Sequence, residues 1–438
     1  MSLPQYPTYK DSGVEWLGPV PKHWGVYRLK TQIALRTDKT DRRSNPVALE
    51  NVQGWSGRFI PTESEFEGEG VAFERGDLLF GKLRPYLAKV YLTEAAGEAV
   101  GDFHVLRPAD SLDGRFAQYQ MLNRSFIDVV DGSTFGSKMP RASWETLGSM
   151  PFAIPTFAEQ TAIASFLDRE TAKIDALIAE QERLIALLAE KRQATISHAV
   201  TRGLNPDAPM KDSGVDWLGE VPAHWTVMRV KSISEFTTSG PRGWSERIAE
   251  NGCLFVQSGD LNEMLGVDFH MSKRVKVEGD AEAARTLLSD GDVIVCITGA
   301  KTGNVAVCST VPEPAYINQH LCLVRPSAKV LPQFLGVALK SRVGNTQFEL
   351  SQYGLKQGLS LENIRETLVP LPPLSDQRCI VAFLESETAQ FDALRGKAEQ
   401  VVKLLKARRS ALIAAAVTGQ IDVRGAVLQS AHPEELAA

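Results

Sequence analysis

Two stretches without proline, and almost without glycine, constrain this 438-residue chain more than anything else in it. The first runs from Ala158 to Arg202 with neither residue, and the second from Leu374 to Thr418, interrupted by Gly396. Proline and glycine are the residues that end or weaken helices, so each stretch predicts one long helix. The two are one pattern written twice. Gln160 matches Gln377, Phe166-Leu167 matches Phe383-Leu384, Glu170-Thr171 matches Glu387-Thr388, Asp175-Ala176-Leu177 matches Asp392-Ala393-Leu394, and Val200-Thr201 matches Val417-Thr418. At 1.5 Å per residue such a helix reaches roughly 65 Å, more than one core needs, which suits a spacer.

Apolar residues recur along both stretches at about seven-residue spacing. Leu167, Ile174, Leu177, Leu184 and Leu188 form the first stripe, extended by Ile163 and Ile196; Leu384, Phe391, Leu394, Val401, Leu405 and Leu412 form the second. These narrow stripes predict a seam for a partner helix, with Glu170 and Lys191, and their counterparts Glu387 and Arg408, as polar breaks on it. Thr156 and Glu159 fit a capping box at the start of the first helix, and Ser375 with Asp376 begins the second. Gly203 and Gly419 mark the stops.

A leader precedes each half. Lys10-Asp11-Ser12-Gly13-Val14-Glu15-Trp16-Leu17-Gly18, followed by Val20-Pro21-Lys22-His23-Trp24, returns as Lys211-Asp212-Ser213-Gly214-Val215-Asp216-Trp217-Leu218-Gly219, followed by Val221-Pro222-Ala223-His224-Trp225. The numbering offset is 201 at the leaders and 217 at the helices, so the second body is 16 residues longer. The repetition favours a packing or capping role for His23 and His224 over a catalytic one. Five cysteines without C-x-x-C spacing argue against a disulfide framework and against a zinc site. No apolar run approaches the length of a membrane span, and a soluble, cytoplasmic protein is expected. The net charge of −5 counts against coating nucleic acid by bulk electrostatics, while leaving room for a local basic face and a partner that shares the phosphate contacts.

Between leader and helix lie two bodies, at about 26–155 and 227–372, whose apolar runs bounded by glycine and proline read as short strands. Leu78-Leu79-Phe80, Val90-Tyr91-Leu92 and Phe103–Pro108 in one correspond to Val293–Ile297, Val305-Ala306-Val307 and Leu321–Pro326 in the other. A shared order of strands implies a shared fold, and the divergence elsewhere implies two different surfaces. The loop Thr298–Asn304 lacks the spacing of a phosphate-binding loop, and Asn205-Pro206-Asp207 is not the motif of an amino-methyltransferase. Asp77 and Asp292 each follow a glycine at a strand entrance, where a turn residue is the better reading than a catalytic carboxylate. No serine, histidine and acid set repeats, so the chain is expected to catalyse nothing. Candidate DNA contacts are Lys82, Arg84, Lys138 and Arg141 in the first body and Lys301, Lys356 and Gln357 in the second. Lysine and arginine suit phosphates and guanine edges; glutamine suits adenine. Lys138 and Lys356 stand out because a Gly-x-Lys pattern recurs at both.

The duplicated Lys-Asp-Ser-Gly-Val-[Asp/Glu]-Trp-Leu-Gly leader with its Val-Pro-x-His-Trp, the proline-rich hinges Met150–Pro155 and Val369–Pro373, and helices opening on [Glu/Asp]-Gln together resemble the specificity subunit of type I restriction-modification systems. The resemblance implies an α+β chain: a leader and first target recognition domain (1–155), a spacer helix (156–203), a second leader and recognition domain (204–372), a second spacer helix (373–425) and a flexible tail (426–438). It implies that the helices pair antiparallel, and that each recognition domain reads half of a bipartite double-stranded DNA site. It also implies docking of two modification (methyltransferase) subunits and of motor-nuclease restriction subunits. S-adenosylmethionine, ATP and Mg are then expected on those partners, with no cofactor or metal in this chain. Two rival readings are a non-catalytic helical scaffold and the recognition part of a fused restriction-methylation enzyme; the missing methyltransferase motifs speak against the second.

Overall fold

A computed structural model describes residues 4–41, 44–62, 69–134, 138–352 and 358–425. The fold is α+β, and its packing separates two units: one holds the residues up to Glu182 together with those from Glu399 onward, the other Arg183–Ala398. Both predicted helices are present and continuous, Phe157–Arg202 and Leu374–Val417. Each unit therefore contains one body, the near part of its own helix and the far part of the other.

The two bodies share the strand order of one four-stranded sheet. In the first, an antiparallel four-stranded sheet runs in the order Ile33–Arg36, Phe103–Pro108, Leu78–Gly81, Val90–Leu92. In the second the order is Ser234–Ser239, Leu321–Pro326, Val293–Cys296, Val305–Val307. The inner strands Leu78–Gly81 and Val293–Cys296 are buried at every position, which accounts for their continuous apolar runs. A two-stranded ribbon closes each body onto its helix: Gly25–Arg28 with Pro151–Ile154, and Thr226–Arg229 with Leu368–Leu371.

Asp77 and Asp292 are turn residues with an added duty. Both are buried. Asp77 accepts from the Glu74 amide and from Arg107 Nε and Nη2, each at 2.8 Å. Asp292 accepts from the Ser289 amide at 2.7 Å and from Arg325 Nε and Nη2 at 2.8 and 2.7 Å. A two-pronged guanidinium on a carboxylate that also closes a turn is a structural brace, repeated in both bodies.

The leaders hold the helix ends. In the first unit Trp24 is fully buried against Gly419, where the second helix stops, and its indole nitrogen donates to Glu159 near the start of the first helix at 3.2 Å. In the second unit Trp225 packs on Gly203 and donates to Asp376 at 3.4 Å. His23 and His224 bond the same two carboxylates, each at 2.9 Å, which is the packing role expected of them. Gly203 and Gly419 both take φ of +73°, the left-handed stop that favours glycine. The repeated glutamines tie helix to body: Gln160 bonds the Asp113 amide and the Ser111 and Pro155 carbonyls, and Gln377 bonds the Leu331 amide and the Lys329 and Pro372 carbonyls.

The caps differ from expectation. Glu159 does not return to the helix backbone as a capping box requires, because Tyr6 and Trp24 take one of its oxygens and His23 the other. Ser375 lies inside the first turn, since the second helix already begins at Leu374.

Helix pairing is antiparallel in each unit. Asp175 meets Arg409 and Glu182 meets Lys406 in the first; Arg192 faces Asp392, and Lys191 lies over the Phe391 ring, in the second. The seam has the predicted period in a different phase. On the first helix the inward positions are Leu167, Thr171, Ile174, Ile178, Gln181, Ile185, Leu188, Arg192, Thr195 and Ala199, an alternation of four and three. On the second, Leu384, Thr388, Phe391, Ala398, Val402, Leu405, Arg409, Leu412 and Ala416 follow the same rule apart from one seven-residue step across exposed Arg395. Leu177, Leu184, Leu394 and Val401, expected on the seam, are 52%, 42%, 49% and 40% exposed. Leu177, Leu184 and Val401 each precede a seam position by one residue, about 100° around the helix, while Leu394 precedes Arg395, which is exposed. The seam itself carries threonine, glutamine, alanine and arginine, so a search for large apolar residues settles on the flank. Glu170 and Lys191 likewise stand beside the seam, one position before Thr171 and Arg192.

Candidate nucleic-acid interface

The strand Leu78–Gly81 ends in a loop that closes when the Gly81 amide donates to the Lys89 carbonyl at 2.8 Å. Inside it, Arg84 and Ala88 take left-handed backbone angles, φ of 51° and 47°, on either side of a single 3-10 turn, Pro85–Leu87. The same frame follows Val293–Cys296. There the Cys296 amide donates to the Asn304 carbonyl at 2.8 Å, and the two left-handed positions are Gly299 and Gly303. Glycine adopts this conformation freely, whereas a side chain is strained by about 1 kcal/mol or more. The first body thus holds an arginine where the second uses glycine.

A second loop, which the sequence marked separately, meets this one. Leu83 bridges Arg141, the Arg84 amide donates to the Pro140 carbonyl at 2.8 Å, and the Ala142 amide donates to the Lys82 carbonyl at 2.9 Å. Lys82, Arg84 and Arg141 are thereby brought together, and exposed Lys138 borders them two residues before Pro140. Asp102, which the sequence reading missed, sits among them. Its oxygens accept from Arg141 Nε and Nη2 at 3.1 and 3.0 Å, and the Lys82 ammonium lies 3.9 Å away. The hydrogen bonds to Asp102 raise the Arg141 pKa. Arg84 is exposed, as are Tyr86 and Leu87 beside it. His104 lies behind the loop, its imidazole on the Ala142 carbonyl at 3.0 Å, and burial lowers its pKa.

In the second body Thr298 bridges Gly358, the counterpart of the Leu83 and Arg141 bridge. Lys301 turns its ammonium toward the Gly259 and Leu261 carbonyls at 3.3 and 3.4 Å. Thr298 is hydrogen-bonded to His320, another polar pair missed from sequence. Lys356 and Gln357 lie outside the described residues. A repeated acid partner, of the kind Asp77 and Asp292 provide, would have exposed Asp102 in the sequence, but Asp102 has no counterpart in the second leader-to-helix copy.

Residues 222–403 match a family model described as the type I restriction modification DNA specificity domain. The chain is 23% identical over 383 residues to the EcoBI specificity subunit of Escherichia coli, covering 81% of this chain and 76% of that one. It is 22% identical over 324 residues to the MjaVIII specificity subunit of Methanocaldococcus jannaschii, covering 72% and 71%. The chain resembles type I specificity subunits over most of its length, and residues 222–403 match their DNA specificity domain. The solved structures agree in fold. The HsdS subunit from Thermoanaerobacter tengcongensis aligns over 92% of this chain and 98% of its own, with 17% identity and a TM-score of 0.52. A chain from a structure describing complex assembly and conformational transition of the type I R-M system aligns over 91% and 98%, with 19% identity and a TM-score of 0.67.

The relatives are named specificity subunits, and the domain matched is a DNA specificity domain. Among the described residues no group of acids, histidines or cysteines is placed to hold a metal ion, and no helix is long and apolar enough to cross a membrane. Its cysteines are free thiols, three of them buried in the second body, where burial raises the Cys308 and Cys322 pKa values above the ordinary thiol range.

Proposed function

We propose that each body reads one half of an asymmetric bipartite duplex site, and that the paired helices set the gap between the halves and dock modification and restriction subunits. One observation carries the reading: the two bodies share a loop frame and differ in the side chains mounted on it. Arg84 stands against Gly299, Tyr86 against Lys301 and Leu87 against Thr302. Unlike side chains on a like frame are what two different half-sites require.

The docking role is supported by the leucines displaced from the seam. Leu177, Leu184 and Leu187 on the first helix correspond, at the 217 offset, to Leu394, Val401 and Leu404 on the second, and all six are exposed. An apolar stripe repeated in both copies suits two equivalent partner surfaces. In this reading S-adenosylmethionine, ATP and Mg are held by the partners, the subunit works in the cytoplasm where chromosomal DNA lies, and the recognition domains end at the hinges before residues 156 and 373.

The test is to map methylated adenines across the genome in strains with the gene, without it, and with four residues inserted near Ala189. The insertion adds about 6 Å of helix, close to two base-pair steps of roughly 3.4 Å. A wider gap with unchanged half-sites is expected. An altered half-site with an unchanged gap overturns the assignment of roles.

A further inference from the structure

The 217 offset relates one more pair of residues, and here the two units differ. In the first unit the Asp175 and Arg409 pair is complete. Arg409 Nε donates to Asp175 Oδ1 at 2.9 Å, Arg58 Nη2 donates to Asp175 Oδ2 at 3.0 Å, and Arg409 Nη1 donates to the Trp55 carbonyl at 2.8 Å. Trp55 and Arg58 belong to a body loop of six residues between the bridged Val52 and Phe59. That loop gives the helix pair one carbonyl and one cation.

In the second unit the corresponding residues are Asp392 and Arg192. Arg192 Nε lies 3.9 Å from Asp392 Oδ1, too far for a hydrogen bond, and Arg395 Nη2 lies 3.7 Å from the same oxygen. Both Arg192 Nε and Asp392 Oδ2 are shielded from solvent and have no hydrogen-bond partner. The corresponding body loop, between the bridged Leu261 and Val267, has five residues, one fewer. It folds in on itself: Asn262 Oδ1 accepts from the Met264 and Gly266 amides at 3.0 and 2.9 Å. The Lys340 ammonium takes the Asn262 and Glu263 carbonyls at 3.2 and 2.9 Å. A cleft of about 770 Å³ is left between helices and body, with Leu188, Ile196, Leu384 and Phe391 among its apolar walls.

Buried polar atoms without partners are costly, and the first unit displays the chemistry that satisfies this pair. The cleft's cations Arg192, Lys301, Lys340 and Arg395 are matched by Glu263, Glu349, Glu385 and Asp392, so it carries no excess charge to hold a phosphate or a nucleic acid backbone. Mixed walls with a donor and an acceptor waiting side by side fit a polypeptide. We propose that this cleft receives a loop of the modification subunit, which presents a backbone carbonyl to Arg192 and an arginine or lysine to Asp392, as residues 53–58 do within the first unit. The proposal rests on the reading that modification subunits dock on this chain.

The experiment compares the affinity of purified modification subunit for the full chain and for two variants, Asp392→Asn and an exchange of residues 262–266 for the sequence of 53–58. Each variant is expected to weaken binding tenfold or more, the exchange because it fills the cleft from within. In the unaltered complex, hydrogen exchange is expected to slow at residues 262–266 and 388–395, a readout that needs no variant. Undiminished binding by both variants with unchanged exchange means that water alone fills the cleft, and overturns the proposal while leaving docking intact. Absence of binding by the unaltered chain overturns the docking reading and this proposal together.

Discussion

Replacing Asp77 by asparagine tests whether the repeated aspartate and arginine pairs are braces. Asp77 is 2% exposed and accepts three hydrogen bonds, two from the Arg107 guanidinium and one from the Glu74 amide. The amide nitrogen of asparagine must then face either Arg107 Nε or, with the amide flipped, Arg107 Nη2 and the Glu74 N–H; all three are donors, so one side of the site becomes a clash of donors and the charge is lost. Breaking a fully buried ion pair from one side costs about 3–5 kcal/mol. The Arg107 side chain is 32% exposed, so water shares its charge and the cost falls to about 2–3 kcal/mol. For units of roughly 200 residues this lowers the melting temperature of the first unit by about 4–12 °C. Asp292→Asn does the same to the second unit, since its brace has matching geometry. The assay is urea and thermal unfolding of both variants beside Asp38→Asn, which removes an exposed partner of Arg36 and is expected to change stability by less than about 0.5 kcal/mol. A double variant, Asp77→Asn with Arg107→Met, recovers part of the loss because no buried charge is left unpaired. Equal effects at Asp77 and Asp38 refute the reasoning.

Other expectations concern the reading loop and the leader. Arg84→Gly gives the left-handed position the residue that Gly299 supplies in the other body; relief of strain offsets the added freedom of the unfolded chain, leaving stability within about 1 kcal/mol. Methylated sites mapped with this variant are expected to relax at one position of one half-site, and an unchanged motif refutes a reading role for Arg84. At the second leader, His224 holds the Asp376 carboxyl below its ordinary 3.8, assisted by Ser375 and Trp225. A depressed folded-state pKa gives stability that is present above the unfolded value and lost as pH falls through the folded one. His224→Ala therefore makes the drop in urea midpoint between pH 5 and pH 3 shallower, and a drop as steep as in the unaltered chain counts against the contact. Tyr6→Phe removes the 2.6 Å donor to buried Glu159 and is expected to cost about 1–3 kcal/mol, read by the same unfolding assay.

The helices and the strand order were legible because each rests on a long, redundant signal. Forty residues without a breaker leave few alternatives to a helix, and Val293–Cys296 is apolar throughout because both its faces are covered. The seam phase was not legible. Leu177 and Ile178, or Val401 and Val402, are adjacent apolar residues, and sequence alone does not say which of the two turns inward. Of Leu177 and Ile178, and of Leu184 and Ile185, the β-branched isoleucine turns inward and the leucine stays on the flank, whereas Val401 and Val402 are both valine and only their phase differs. Glu159 was misread for a related reason: a capping box is a local bargain, and Tyr6, His23 and Trp24 offer more donors than the helix terminus does. The candidate interface was legible as a composition of loops. Its geometry was not, since the meeting of Leu83 with Arg141 and the acid at Asp102 are long-range pairings without a local signature.

What the two halves share and where they part follow one physical rule. Gln160 and Gln377, Trp24 and Trp225, Gly203 and Gly419, Asp77 and Asp292 are buried or conformationally special, and replacing any one strands a donor, opens a void or strains a turn. Residues under that constraint persist in both copies. Arg84 and Gly299, Tyr86 and Lys301, and the six-residue and five-residue loops at Trp55 and Met264 sit where the frame tolerates alternatives. Divergence there costs the fold little, so a duplicated chain can change what its surfaces contact without rebuilding what holds them. The Asp175 and Arg409 pair marks the boundary between the two regimes. Its counterpart kept both charges while its loop partner shortened, which leaves a buried donor and acceptor unpaired within the second unit.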